Sequence, residues 1–254
     1  MLICEGVCGR GVLRQYNQDN LYLNGLWRRD VADTKTYYAS QTVREGLFAV
    51  CDGMGGESYG EEASLMAVSA LNGVTAEAFS RHGNEYLRAM NHDICRLMRT
   101  RQLRIGTTFA GLWIFGGMAG ISNIGDSRIY LLREKKLHKL SYDHTQTQRL
   151  LDMGFITPQQ MDTHPDRHKL TQHLGIFPEE MVIEPYTLPP FKVEDLDLFL
   201  LCSDGLTDML TEQEIARVLM ERKPTKEKAA HLYEAALERG GRDNITVLLV
   251  QNIG

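Results

Sequence analysis

The sequence has 254 residues, with 28 basic and 33 acidic side chains and a formal net charge of −5. Hydrophobic residues make up 43% and charged residues 24%, the balance of a globular chain with ample core for one domain. No basic block offers a footprint for nucleic acid, and no apolar run approaches the ~20 residues of a membrane span.

Five cysteines, an odd number, argue against a disulfide framework. Cys4 and Cys8 read as thiols on one face of a strand, with no second pair to complete a zinc site. Met1-Leu2-Ile3-Cys4-Glu5 lacks the basic-then-apolar pattern of a signal peptide. A cytoplasmic protein is the expectation.

In chain order, residues 2–14 read as an opening strand region. A strand at 20–23 follows, then a polar stretch to Arg44 expected to be a hairpin excursion. Leu47-Phe48-Ala49-Val50-Cys51 is apolar at successive positions, the mark of a strand buried on both faces, and ends at Asp52. Helical spacing covers 61–79, and a second helix is expected at about 84–103, across Arg81-His82-Gly83. Strands at 107–115, 118–123 and 128–132, joined by Gly-rich and Gly-Asp turns, predict a meander, with a further short strand at 137–140. Ser141-Tyr142-Asp143 offers cap residues for a helix through Met153, ended by Gly154.

Residues 155–180 carry three prolines and no sustained periodicity, so they read as a mobile insertion with short helical pieces. After a strand at 198–203, Thr211-Glu212-Gln213-Glu214 is a capping box opening a helix to about Arg222. Another helix spans 226–239, and 245–252 is the last strand. Meandering strands with helices in sequential pairs predict layered α+β architecture rather than a parallel βαβ sheet. One domain over 1–254 is expected.

The chemistry gathers on aspartates at the tips of these strands. Asp52 opens Gly53-Met54-Gly55-Gly56, and Asp204 is followed by Gly205. Asp126 lies in Gly125-Asp126-Ser127-Arg128, and Asp243 in Gly241-Arg242-Asp243-Asn244. A strand that delivers a carboxylate, with glycine letting backbone approach, suits a hard cation. A single Asp-Gly is more commonly a turn. Asp52 and Asp204, however, stand at the mouths of strands apolar on both faces, where a charge needs a partner or a metal. Four such tips point to a polynuclear metal site.

Six motifs then occur in order: Arg14-Gln15-Tyr16-Asn17-Gln18-Asp19-Asn20, Asp52-Gly53-Met54-Gly55-Gly56, Gly106-Thr107-Thr108, Gly125-Asp126-Ser127-Arg128, Ser203-Asp204-Gly205-Leu206-Thr207-Asp208 and Gly241-Arg242-Asp243-Asn244-Ile245-Thr246. With them the chain resembles, nearly end to end, the type 2C metal-dependent protein phosphatases (the PPM family) in their compact bacterial form. The resemblance implies an αββα sandwich of two antiparallel sheets flanked by helical pairs. It also implies a protein serine/threonine phosphatase dependent on two Mn²⁺ or Mg²⁺ ions. Two such ions about 3.5–4 Å apart can share a water, lower its pKa and present hydroxide for in-line attack at phosphorus.

By the same resemblance, Asp52 bridges both ions, the Gly53 carbonyl ligates one, and Asp204 and Asp243 complete the protein ligands. Asp19 acts mostly through metal-bound water, and Asp126 with Asp204 holds a third, weaker ion. Arg14 is the phosphate clamp, its guanidinium fork matching two phosphate oxygens. Met54 stands where many eukaryotic relatives carry a histidine proposed as general acid, so another group must protonate the leaving oxygen. The insertion at 155–180 corresponds to the family's flap.

The implied partners are phosphorylated proteins, with a Ser/Thr kinase as the opposing enzyme, and the chain is expected to be a monomer. His164 and His168, with Pro165 between them, read as loop histidines. His144 reads as a local hydrogen-bonding residue, and Thr107 and Thr108 as packing and turn residues. An inactive phosphoprotein-binding module on the same fold is the alternative, disfavoured by the intact Asp52, Asp204 and Asp243. A regulatory phosphatase with one narrow partner is a third reading.

Overall fold

The apolar runs are buried on both faces because each lies between a second sheet and a layer of helices. The computed structural model describes residues 1–55 and 59–254, so Gly56 of the Asp52 motif lies outside the described residues. In chain order the strands are β1 (Leu2–Gly9), β2 (Asp19–Leu23), β3 (Leu26–Trp27), β4 (Tyr37–Val43), β5 (Gly46–Met54), β6 (Gly106–Thr107), β7 (Phe109–Phe115), β8 (Met118–Ile124), β9 (Arg128–Arg133), β10 (Lys136–Lys139), β11 (Tyr186–Thr187), β12 (Phe191–Lys192), β13 (Leu198–Cys202) and β14 (Ile245–Asn252). The helices are α1 (Gly60–Ser69), α2 (Ala76–Arg101), α3 (Gln146–Asp152), α4 (Pro158–Asp162), α5 (Asp204–Thr207), α6 (Glu212–Leu219) and α7 (Thr225–Glu238).

One antiparallel sheet has the order β10-β9-β13-β14-β1-β4, the other β11-β8-β7-β5-β2-β3, with β12 on β8 and β6 on β5. The two-residue period of a strand sorts side chains between layers. In β5, Phe48 and Val50 face the other sheet, together with Phe199 and Leu201 of β13 and Leu248 and Val250 of β14. Leu47, Ala49 and Cys51 face the opposite way, against Ala67, Leu71, Leu87 and Ile94 of the α1–α2 layer. Leu198, Leu200, Val247 and Leu249 pack on Ile215, Leu219, Leu232 and Ala236 of the α6–α7 layer. The result is the αββα sandwich.

Several boundaries depart from the sequence reading, each for a local reason. The helix expected over 61–79 ends at Ser69, and a new one starts where the Thr75 side chain accepts a hydrogen bond from the Ala78 N–H. Gly73, at φ 81°, turns the chain between them. The expected break at 81–83 is only a kink at His82 inside α2. The polar stretch to Arg44 is not one hairpin: β3 pairs with β2, whereas β4 crosses to β1 in the other sheet. The meander likewise stops after β7–β8, and β9 leaves for the other sheet. Helix α3 starts at Gln146, capped by Thr145, because the earlier cap residues are engaged elsewhere. Ser141 Oγ accepts from Ile129 N–H, and Asp143 is clamped by Arg128 and Lys139.

The capping box at Thr211 is formed in both directions, Glu214 N–H to Thr211 Oγ1 and Thr211 N–H to Glu214 Oε2 at 2.9 Å. The insertion at 155–180 contains α4 but is tied down along its second half. Thr107 and Leu174 exchange backbone bonds at 3.0 and 2.9 Å, and Gln146 N–H donates to Lys169 O at 2.8 Å. Among the described residues, no helix is long and apolar enough to cross a membrane.

Candidate metal centre

The two sheets bring their acidic tips to one end of the sandwich. Asp19 opens β2 and lies directly opposite Asp52 of β5 in an antiparallel register. Opposed residues on such strands share a face with Cβ atoms about 5 Å apart, so two carboxylates meet there by construction. Asp204 follows β13 as the first residue of α5, and Asp243 precedes β14, both from the other sheet. Asp126 sits in the turn from β8 to β9 that crosses between the sheets.

Asp52, Asp126, Asp204, Asp243, Arg14, Gly53 and Met54 line one cavity of about 270 Å³. Asp19 lies behind it, 0% exposed. Its Oδ2 accepts from Ser203 Oγ and Thr246 Oγ1, both at 2.7 Å, and its Oδ1 is buried without a hydrogen-bond partner among the described residues.

Backbone clamps hold these groups. Asp52 N–H donates to Thr108 Oγ1 at 2.9 Å, Thr107 Oγ1 donates to Asp52 O at 3.0 Å, and Thr108 N–H donates to the same carbonyl at 2.9 Å. Thr108 Oγ1 also bonds Ser127 Oγ at 2.6 Å, linking Asp52 to the residue beside Asp126. Asn244 gathers the Arg14 loop: its Oδ1 accepts from Gln18 N–H at 2.7 Å, and its Nδ2 donates to Arg10 O and Tyr16 O. Arg14 Nη2 donates to Asp243 Oδ2 at 2.7 Å.

Glycine is required at two close approaches. A Cβ on Gly53 would stand 2.1 Å from Gly60 O, and one on Gly205 would stand 1.9 Å from Asn244 O. His144, read as a local hydrogen-bonding residue, does fix this end: its Nδ1 accepts from Gly125 N–H at 3.2 Å.

The electrostatics show what the carboxylates lack. Burial first, and then the charges of Asp19 and Asp204, push the Asp52 carboxyl well above its ordinary range. Asp126 is pushed up by burial and then by Asp204 and Asp143. Asp19 rises to about 7, with burial outweighing its hydrogen bonds. Asp243 rises through burial and Asp204, against the pull of Arg14. Among these five carboxylates Asp204 alone is lowered: burial acts to raise it, but the hydrogen bond and charge of His168, the hydrogen bond with Asp52 and the charge of Arg128 together outweigh that. Acids crowded in this way ionise together only around a cation.

The donor set fits hard divalent ions, since it is oxygen-rich and includes buried carboxylate atoms with no partner among the described residues, Asp19 Oδ1 and Asp204 Oδ1. Asp126, Asp204 and His168 each offer a donor atom, and these lie within 4.8 Å of one another. Burial pushes the thiols of Cys8, Cys51 and Cys202 up, so thiolate chemistry has no foothold here.

Two assignments from sequence are corrected by this geometry. Thr107 and Thr108 are not mere packing residues, since they hold Asp52 by its backbone. His168 is not an idle loop histidine: Nδ1 lies 3.5 Å from Asp204 Oδ2 and Nε2 3.4 Å from Asp208 Oδ2. Its i, i+4 spacing with His164 was no guide, because His164 is turned into a local bond with Asp166 N–H. Nothing in the local sequence announces that a residue of the 155–180 segment reaches Asp204.

A cleft between two sheets, lined by carboxylates from both and by one arginine, defines a metal-dependent hydrolase of anionic esters. A family model described as protein phosphatase 2C matches residues 23–239. Protein phosphatase PhpP of Streptococcus pneumoniae is 35% identical over 234 residues, covering 89% of this chain and 93% of that protein. Serine/threonine phosphatase stp of Listeria monocytogenes is 32% identical, covering 95% and 92%. The catalytic domain of the serine/threonine protein phosphatase PstP, solved with two manganese ions, superposes with a TM-score of 0.80 at 29% identity, covering all of both chains. The chain belongs to the protein phosphatase 2C family.

Proposed function

We propose that this chain is a Mn²⁺- or Mg²⁺-dependent protein serine/threonine phosphatase, acting on phosphoserine and phosphothreonine in proteins. The observation that carries this reading is the ring of half-buried carboxylates from both sheets, backed by the fully buried Asp19, that cannot all be ionised without cations. Asp52, the Gly53 carbonyl, Asp204 and Asp243 would hold two ions, with Asp19 behind them. Asp126 and Asp204, joined by the His168 imidazole, would hold a third. When bound, the ions supply the positive charge that offsets the phosphate and activate the attacking water.

The chain's own residues do the rest. Arg14 is oriented by a single N–H to Asp243, which leaves its other donors to grip phosphate oxygens in a bidentate fork. Thr107 and Thr108 fix the height of Asp52, and Asn244 fixes the loop that carries Arg14. Met54 lines the cavity and has no proton to give, so the leaving oxygen is protonated by another group. We infer one phosphatase domain over 1–254 with the flap at about 155–180, acting as a cytoplasmic monomer against the products of a Ser/Thr kinase.

The test is hydrolysis of a phosphothreonine peptide with Mn²⁺ or Mg²⁺, with and without chelator. Turnover that requires metal supports the enzyme. No turnover with either metal would contradict it and favour a phosphoprotein-binding module on the same fold.

A further inference from the structure

Arg28 is a buried cation with an unusual set of partners. It is 3% exposed, yet its hydrogen bonds run to backbone carbonyls. Nη2 donates to Asn17 O at 2.5 Å and to Asp19 O at 3.0 Å. Nη1 donates to Val31 O at 3.3 Å, Asp33 O at 3.4 Å and Asp30 O at 3.5 Å. Among the described residues, Nε is buried and has no partner. The Arg28 backbone is itself fixed by Asn20, which donates to Arg28 O and accepts from Arg28 N–H at 2.9 and 3.1 Å.

Burying a guanidinium without a carboxylate is costly, and a loop between strands can be secured far more cheaply. What this arrangement secures is the corner formed by Asn17, Gln18 and Asp19. Asn17 Oδ1 in turn accepts from Asp19 N–H at 3.1 Å. Asp19 is therefore gripped by its N–H through Asn17 and by its carbonyl through Arg28. Its carboxylate is set opposite Asp52, among carboxylates that repel one another until ions arrive. Nη2 holds the two corner carbonyls while Nη1 reaches the carbonyls of Asp30, Val31 and Asp33, a reach that a planar fork provides and a single ammonium does not.

We propose that Arg28 is a positioning residue for the metal centre, holding the Asn17–Asp19 corner so that the Asp19 carboxylate is in place before ions bind. The proposal rests on the two-ion reading above. Outer partners of metal ligands commonly change metal affinity by about 10–100-fold, and that is the size of effect expected here.

The experiment is calorimetric titration of the whole chain with Mn²⁺ alone, for wild type, Arg28→Met, Arg28→Lys, Asp19→Asn and the Asp19→Asn/Arg28→Met double variant. Mn²⁺ binding should weaken on the order of tenfold or more in Arg28→Met. Arg28→Lys keeps the charge without the fork and should recover only part of the loss. In the Asp19→Asn background, Arg28→Met should cost little more, since residues acting through one another are not additive.

Arg28 would be a merely structural residue if Arg28→Met melted at a lower temperature but bound Mn²⁺ within about twofold of wild type. Should Arg28→Met fail to fold, unchanged affinity in Arg28→Lys would overturn the proposal by itself. Full additivity of the two substitutions would do so as well. A wild type that binds no Mn²⁺ would overturn the two-ion reading first, and the proposal with it.

Discussion

At the scale of single residues, the site is a set of acids in the wrong place for acids. The pair Asp19 and Asp52 was visible in the sequence only as two separate motifs, and the register of β2 against β5 makes them a pair. Protons occupy such a cluster when ions do not, so Mn²⁺ must displace them. Mn²⁺ binding should therefore release protons and strengthen as pH rises toward the Asp19 value of about 7. Calorimetry in buffers of different ionisation enthalpy would detect the release, and a pH-independent affinity would contradict it.

Thr108 makes a second prediction at this scale. Thr108→Val leaves the Asp52 N–H without its acceptor and breaks the link to Ser127, at a cost of about 1–3 kcal/mol in chemical denaturation. Mn²⁺ affinity should fall with it. The threonines and His168 were illegible as site residues because their roles depend on contacts far along the chain, Asp52 to Thr108 and Asp204 to His168.

At the scale of elements, local chemistry decided boundaries better than hydrophobic spacing did. The Thr211 box was readable because cap and partner lie three residues apart. The cap at Thr75 was overrun by an apolar pattern that continued through Leu71 and Val74. Asp143, a good cap by composition, was lost to Arg128 and Lys139, a tertiary demand that no window of sequence displays. Thr211→Ala should destabilise the protein by about 1 kcal/mol in chemical denaturation, since it removes the cap of α6, which packs on the outer face of its sheet. Unchanged stability would mean that the box does not hold the start of α6.

At the scale of the whole molecule, meandering strands and paired helices made a layered α+β architecture legible, while the sandwich of two sheets between helices came only from the resemblance to the type 2C phosphatases. The crossings of β4 and β9 between sheets were not legible, since strand length and composition are alike in both. Those crossings matter, as the cleft exists where the two sheets' strand tips converge.

The convergence also makes stability depend on metal. Asp19 has an ordinary carboxyl value of 3.8 and a folded value of about 7. A raised folded value adds stability that is complete below the ordinary value and is lost as pH climbs through the folded one. The metal-free protein should thus lose thermal stability between about pH 4 and pH 7, and Mn²⁺ should restore it by binding only the folded form. Melting curves with identical pH dependence with and without Mn²⁺ would contradict this.

The most direct single measurement is Mn²⁺-dependent hydrolysis of a phosphothreonine peptide by wild type and Asp52→Asn side by side. The carboxylate cluster requires that wild type turn over and that Asp52→Asn, still folded, fall to background. Equal turnover by the two proteins would mean that Asp52 does not hold the ions, and the metal centre described here would be wrong.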